Sequence, residues 1–291
     1  VLVGTSMVEK KIDHGVMIVA TGAVEYQPKE YLYQDSDQVI TQLELADQLK
    51  EKGARDLDSV VMIQCVGSRN EENPNCSRIC CQNAVKNAIH IKKMNPETDV
   101  FILYRDMRMY SMLEEYYNEA RNLGVIFSRF DSQDPPQVAE ADNGSLSVTF
   151  TDHVLGQKLE ADADLVVLSA GVQAADTEEL ATIIKTNRNS EGFFIEAHVK
   201  LKPVEAATEG IFICGTAHGP KLITETISQA QAAASRATTF LAQEYLTLSA
   251  VTAEVDPNHC ASCLVCVRSC PYEVPVINEH GVSYIDPALC L

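Results

Sequence analysis

The sequence predicts an α/β fold whose parallel sheet is covered on both faces. Two observations carry that prediction. Residues 16–22 (VMIVATG) and 165–171 (LVVLSAG) are apolar runs ending in small residues and glycine; a strand apolar on both sides belongs between two layers, whereas a half-exposed strand alternates. Between them, short strand-like segments take turns with helical ones, the order that builds parallel sheets with crossover helices.

Residues 16–22 form a buried strand that delivers a glycine turn. Residues 58–64 (DSVVMIQ) are the next strand, 84–94 a helix, 99–104 a strand, 112–123 a helix and 125–129 a strand, together a Rossmann-like βαβαβ unit. Segments 146–150 and 157–161, joined through Asp152 and Gly156, make a hairpin that interrupts the unit before 165–171. Residues 210–215 (GIFICG) are a third buried strand, with Cys214 as a small buried residue. That strand ends in Thr216-Ala217-His218-Gly219-Pro220-Lys221 and opens a helix running from Leu222 to the region of Tyr245, rich in alanine. A helix starting just after a glycine turn offers free N–H groups and a positive dipole end to a phosphate or an electron-rich flavin edge; such a turn also serves purely structural ends. Residues 247–257 read as a linker.

A chain of 291 residues holds about two domains and a small appendage. Its formal charge of −18 repels nucleic-acid phosphates and favours solubility, and no apolar run approaches the length of a membrane span. Ten cysteines gathered in clusters, with no secretory signal, suit metal or redox chemistry in a reducing cytoplasm rather than a disulfide framework. Residues 1–11 contain neither a start methionine nor a signal peptide, and 286–291 (DPALCL) reads as the opening of a second cysteine loop. The expectation is an internal piece of a longer polypeptide.

Near the end stands Cys260-x-x-Cys263-x-x-Cys266-x-x-x-Cys270-Pro271, the spacing that wraps a cubane 4Fe-4S cluster. Thiolates two residues apart reach different iron corners from one curling loop, and the fourth turns toward a second cluster, whose loop Cys290 opens. Zinc knuckles come as two separated pairs, which weighs against zinc. A second group, Cys65, Cys76, Cys80 and Cys81, sits where the first strand of the Rossmann-like unit meets its helix. A dinucleotide-binding protein carries G-x-G-x-x-G there; here the fingerprint is replaced by Cys65-Val66-Gly67-Ser68-Arg69 and an excursion rich in Asn and Glu. With Asn75 or Ser77 as cap, Cys80 and Cys81 fall in the first helical turn, where the dipole favours thiolate, and Arg69 and Arg78 add positive charge. An iron–sulfur cluster, a thiol–disulfide pair, zinc and plain core filling all remain open on spacing alone.

Taken in order, CVGSRNEENPNCSRICCQNAVKNAIHIKKMNPETDVFILYRDMRMY, FICGTAHGPKLITETISQAQAAASRA and the four-cysteine motif resemble the A subunit of heterodisulfide reductase (HdrA) and its relatives, over nearly the whole chain. The resemblance implies a thioredoxin-reductase-like two-domain flavoprotein core followed by a ferredoxin-like module. Residues 1–35 and 172–248 would be parts of an FAD-binding domain, 36–171 an NAD-domain-like unit carrying the cysteine group, and 249–291 a partial 4Fe-4S module. It also implies an unusual cluster on Cys65, Cys76, Cys80 and Cys81, and FAD near Thr21, Gly22, Gly215, Thr216, Ala217, His218, Gly219 and Lys221. Lys221 is the candidate for a cation beside the flavin ring, stabilising its reduced anionic form. The implied partners are the other subunits of the complex, a hydrogenase or formate dehydrogenase as donor, and ferredoxin, with the flavin splitting electron pairs and a homodimer as an assembly the resemblance allows. The glycine fingerprint for the FAD pyrophosphate lies outside this sequence. A pyridine-nucleotide-dependent disulfide oxidoreductase and a non-catalytic electron relay are the rival readings.

Overall fold

The computed structural model describes residues 12–54, 57–141, 144–245, 251–287, 289 and 290. The expectations for residues 1–11, for 247–250 of the linker, and for Ala288 and Leu291 lie outside them. The chain forms two compact units: one holds the residues up to Ala23, Ala174–Gly219 and those from Ile223 onward, the other Val24–Gln173 with Pro220–Leu222.

Two short strands come first, β1 (Met17–Val19) and β2 (Ala23–Glu25). The second unit then builds β3 (Val39–Thr41), α1 (Gln42–Glu51), β4 (Ser59–Val66), α2 (Cys80–Met94), β5 (Asp99–Tyr104), α3 (Glu114–Asn122) and β6 (Ile126–Arg129). After β7 (Gln137–Glu140), β8 (Leu146–Asp152) and β9 (Gln157–Ala163), the chain returns through β10 (Leu165–Ala170). The strands β3, β10, β4, β5 and β6 lie in that order in one parallel sheet. This bears out the expected α/β class and the βαβαβ succession.

Side-chain alternation divides the core into two. On the helical side, Val60, Met62, Val100, Ile102, Leu165 and Val167 pack against Leu45, Leu49, Ala84, Val85, Ala88 and Ile91 of α1 and α2. On the other side, Val61, Ile63, Val166 and Leu168 meet Leu146, Val148 and Phe150 of the antiparallel β7–β8–β9 sheet. That second cover is the reason β10 is buried at every position, and it puts the expected hairpin to use as a lid over one sheet face. Helix α1 starts in a full capping box: Thr41 Oγ1 accepts from the Glu44 N–H, and Glu44 Oε2 accepts from the Thr41 N–H at 2.6 Å.

After β11 (Val172–Ala174), whose first two residues still belong to the second unit, the first unit continues with α4 (Glu178–Ile183), β12 (Ile211–Ile213), α5 (Ile223–Leu241), α6 (Val265–Ser269), β13 (Val276–Ile277) and β14 (Ser283–Tyr284). Strands β1 and β12 pair in parallel, and α5 packs Ala233 and Ala237 against Phe212 and Cys214 of β12 and its exit. Helix α5 is shorter at both ends than its alanine-rich pattern predicts.

Strand β4 ends in a tight approach. Gly67 has φ +65°, and a Cβ there would overlap the Tyr26 ring. Alanine therefore meets both a disfavoured backbone and a rigid aromatic wall. Gly67→Ala is expected to lower stability by about 2 kcal/mol, read as a lower urea midpoint, and Tyr26→Leu in the same chain should recover part of the loss. A midpoint equal to the parent's would show that the loop gives way at no cost.

Candidate functional site

The cysteine group lies at the carboxyl ends of the two central strands. The strand order places β10, the last of these strands in the chain, between β3 and β4, so the carboxyl ends of β4 and β10 lie side by side. Ligands of open α/β sheets bind outside the carboxyl ends of the strands. The ladder is irregular there: Leu168 pairs with Ile63 and Ala170 with Val66, which sets Gln64 and Cys65 opposite the single residue Ser169. This is a β-bulge with Cys65 at φ +66°, and bulges re-aim side chains and end strand pairing.

Cys80 and Cys81 are the first two residues of α2, as the sequence suggests, but the cap differs. Ile79 occupies that position with no side-chain hydrogen bond, because Ser77 Oγ accepts from the Val172 N–H at 2.8 Å and ties the loop to the exit of β10. Cys80 Sγ donates to the Ala170 carbonyl at 3.5 Å and Cys81 Sγ to the Asp106 carbonyl at 3.8 Å. Cys76 Sγ accepts from the Arg78 N–H at 3.3 Å.

The electrostatics correct a second expectation. Burial, not the helix dipole, dominates these thiols: it pushes Cys81 up to about 11 and Cys80 well above its ordinary value, with the neighbouring cysteines adding to both. Cys65 is also raised by burial, against the pull of Arg69. The Arg69 guanidinium stands 3.9 Å from Cys65 Sγ and is held by Asp106 at 2.6 Å. That hydrogen bond keeps the Asp106 carboxyl below the usual carboxylate range. Arg78 turns instead to Tyr110 Oη and the Pro220 carbonyl.

Cys65, Cys76, Cys80 and Cys81 thus share one electrostatic neighbourhood. Among the described residues, no three His, Cys, Asp or Glu side chains converge to hold a single metal ion. A cubane places its irons at separate corners, so its ligands need a shared neighbourhood more than a shared point. A metal-bound thiol is deprotonated outright, whatever its free value.

In the tail, Ser262 and Leu264 have φ +54° and +62°, which curls the loop between Cys260, Cys263 and Cys266. Cys260 Sγ accepts from the Ser283 N–H at 3.4 Å, and that bond with one from Ser262 lowers its thiol. Cys266 Sγ lies 3.1 Å from Ser283 Oγ, and Cys290 Sγ accepts from the Ala253 N–H at 3.3 Å. Cys270 closes α6 as its C-cap, and all ten cysteines are free of disulfides.

The two glycine turns of the first unit end neighbouring strands. The Cys214 N–H donates to the Val19 carbonyl, and a Cβ on Gly22 would stand 4.0 Å from Thr216 Oγ1. The structure thereby brings Thr21 and Gly22 beside Gly215, Thr216 and Ala217. Around Gly219 the space is open, with nothing within 4 Å of a built Cβ, and such an open glycine turn admits a cofactor edge close to the backbone. Gln229 Oε1 accepts from the Gly215 N–H, its Nε2 donates to His218 Nδ1 at 2.9 Å, and His218 Nε2–H donates to Glu196 at 2.6 Å. With both ring nitrogens engaged, His218 braces the turn. Lys221 groups with the second unit.

The sequence pattern gave no notice of Glu196 and Gln229, nor of Gln64 and Ser169, both buried at the bulge. The signal for the last two was a polar residue near the end of an otherwise apolar strand. Among the described residues, no helix is long and apolar enough to cross a membrane.

No family model matches the chain. It is 40% identical over 300 residues to the A subunit of the H(2)/formate:CoB-CoM heterodisulfide,ferredoxin reductase of Methanococcus maripaludis, covering 96% of this chain and 45% of that protein. It is 37% identical to the A subunit of the ferredoxin:CoB-CoM heterodisulfide reductase of Methanosarcina acetivorans, covering 95% of this chain and 40% of that one. With the iron-sulfur A subunit of the CoB--CoM heterodisulfide reductase of Methanocaldococcus jannaschii the identity is 38%, over 96% and 44%. The chain therefore spans less than half the length of the curated relatives it matches. Among solved structures, thioredoxin reductase from Lactococcus lactis superposes with a TM-score of 0.51 at 17% identity, covering 78% of this chain and 66% of that one. A cysteine-to-serine mutant of the flavoprotein disulfide reductase RclA from Escherichia coli gives 0.50 at 13%, over 76% and 44%. These likenesses show the fold, a thioredoxin-reductase-like α/β core. The chain is HdrA-like in sequence over nearly its whole length and matches a part of those longer polypeptides.

Proposed function

We propose that the chain is an electron-transfer part of a heterodisulfide-reductase-type oxidoreductase, holding FAD and 4Fe-4S clusters. The observation that carries this reading is the set of N–H groups directed at cysteine sulfur. Arg78 N–H on Cys76, Ser283 N–H on Cys260 and Ala253 N–H on Cys290 are main-chain donors, and Arg69 adds a guanidinium beside Cys65. Such donors suit sulfur that carries negative charge, as cluster ligands do.

In this reading Cys65, Cys76, Cys80 and Cys81 hold one cluster and Cys260, Cys263 and Cys266 belong to another. Cys270 and Cys290 serve the ferredoxin-like module as well. Thr21, Gly22 and residues 215–219 flank the flavin, with Lys221 as its cation. When bound, the flavin exchanges electron pairs for single electrons and the clusters carry the single electrons, which is the chemistry of electron-pair splitting. The chain's own residues set distance, burial and local charge. The names of the relatives point to hydrogen, formate and ferredoxin, so the partners we propose are a hydrogenase or formate dehydrogenase donor, ferredoxin, and the subunit that reduces the disulfide. The setting is the cytoplasm.

Anaerobic iron, sulfide and flavin analysis of the full-length polypeptide tests the reading, and an absence of acid-labile sulfide would sink it. Cys80→Ser is expected to remove about four iron and four sulfide per chain without unfolding the domain; unchanged iron would exclude Cys80 as a ligand. Lys221→Ala is expected to move the flavin midpoint potential downward, because the reduced anion loses its neighbouring cation. A potential equal to the parent's would take Lys221 out of the flavin site.

A further inference from the structure

Three of the five buried side-chain atoms that lack a hydrogen-bond partner among the described residues lie at one place, the bulge between β4 and β10. They are Gln64 Nε2, Gln64 Oε1 and Ser169 Oγ, on residues only 2% and 1% exposed. Buried polar groups almost always find partners, and an orphan bears its full desolvation. A cluster of three orphans, from facing residues of neighbouring strands, asks what they were placed to meet.

Strand geometry says which way they face. Val60 and Met62 belong to the helix-side core, and Gln64 comes two residues later before the bulge, so it continues that face. On β10, Leu165 and Val167 belong to the same core, and Ser169 follows them in the same alternation. Both side chains therefore face the α2 side at the carboxyl end of the sheet. The head of α2 covers that end: Cys80 Sγ contacts the carbonyl of Ala170, next to Ser169, and Cys65 is next to Gln64. The orphan amide and hydroxyl thus lie on the side of the sheet that carries Cys80 and Cys81.

We propose that Gln64 and Ser169 are positioning residues that donate hydrogen bonds to the sulfur of an iron–sulfur cluster held by Cys65, Cys76, Cys80 and Cys81, and thereby raise its reduction potential. The inference rests on the functional reading above. The amide NH2 and the hydroxyl are hydrogen-bond donors, and burial makes each donor count for more. A reduced cluster carries one more negative charge, so donors to its sulfurs stabilise the reduced form. Neither residue ligates iron, and cluster assembly depends on neither.

The test is a redox titration, followed by electron paramagnetic resonance, of the anaerobically purified full-length protein. The signal to follow is the one lost in Cys80→Ser. Ser169→Ala and Gln64→Met are each expected to keep the iron and sulfide content while lowering that midpoint. A tenfold fall in the equilibrium constant for reduction reads as a shift of about 59 mV for one electron. Ser169→Thr keeps a hydroxyl and is expected to hold the parent potential. A midpoint that is the same in the parent, Ser169→Ala and Gln64→Met overturns the assignment while leaving the cluster in place. Loss of iron from both variants at an unshifted potential in the remaining clusters overturns it too, since that is the mark of a packing role. A parent protein with no signal that depends on Cys80 overturns both this assignment and the cluster reading beneath it.

Discussion

The site depends on one constraint: a parallel sheet buried on both faces leaves only its ends for chemistry. Helices α1 and α2 close one face with aliphatic contacts, and the β7–β8–β9 sheet closes the other. Any group that must meet a cofactor then gathers at the carboxyl edge, where the ladder between β4 and β10 turns irregular. The bulge at Cys65 is how this chain uses that edge. It ends the regular ladder, inserts a residue in the left-handed region and lets the backbone reach Gly67, whose missing side chain admits the Tyr26 ring. An ordinary nucleotide-binding unit spends that position on glycines facing a pyrophosphate; here the same turn delivers a thiol.

Desolvation decides the character of those thiols. The rise at Cys81 from 9.0 to about 11 corresponds to about 3 kcal/mol. The dipole at a helix end contributes ~0.3–1 kcal/mol, too little to offset it. Head position on a helix is therefore not enough to make Cys80 and Cys81 reactive anions. With their thiols raised in this way they are poor nucleophiles toward a disulfide in solution, and a bound metal would supply the charge that the helix cannot. This separates the site from the reactive cysteine pair that a simple disulfide oxidoreductase would need.

Much of this architecture was legible in the sequence because its signals are local. The apolar runs at β4 and β10, the βαβαβ order and the hairpin of β8 and β9 come directly from residue pattern and turn residues. The cysteine spacings were equally plain. What pattern missed is long-range. Ser77 reads as a helix cap, and it would cap α2 if Val172, far along the chain, did not donate to its hydroxyl instead. The bulge depends on register between strands roughly a hundred residues apart, which neither strand's own sequence encodes. Glu196 and Gln229, which occupy both nitrogens of His218, come from outside its turn and left no local trace beside it. Gln64 and Ser169 were visible only as small blemishes in apolar strands until pairing set them face to face.

The two cysteine groups differ in how their sulfurs are met. In the tail, a loop curled by left-handed residues presents sulfur to main-chain N–H groups and to the Ser283 hydroxyl, and Cys260 is eased toward the thiolate by its main-chain donors. At the sheet edge, burial raises Cys65, Cys80 and Cys81, Cys76 accepts from a main-chain N–H, and Arg69, clamped by Asp106, stands beside Cys65. Burial lowers a cluster's potential by penalising the more negative reduced state, whereas donors and nearby cations raise it. In the reading proposed above, Gln64, Arg69 and Ser169 are the side chains through which the sheet-edge site would set a cluster's potential, and none of them would be a ligand to its iron.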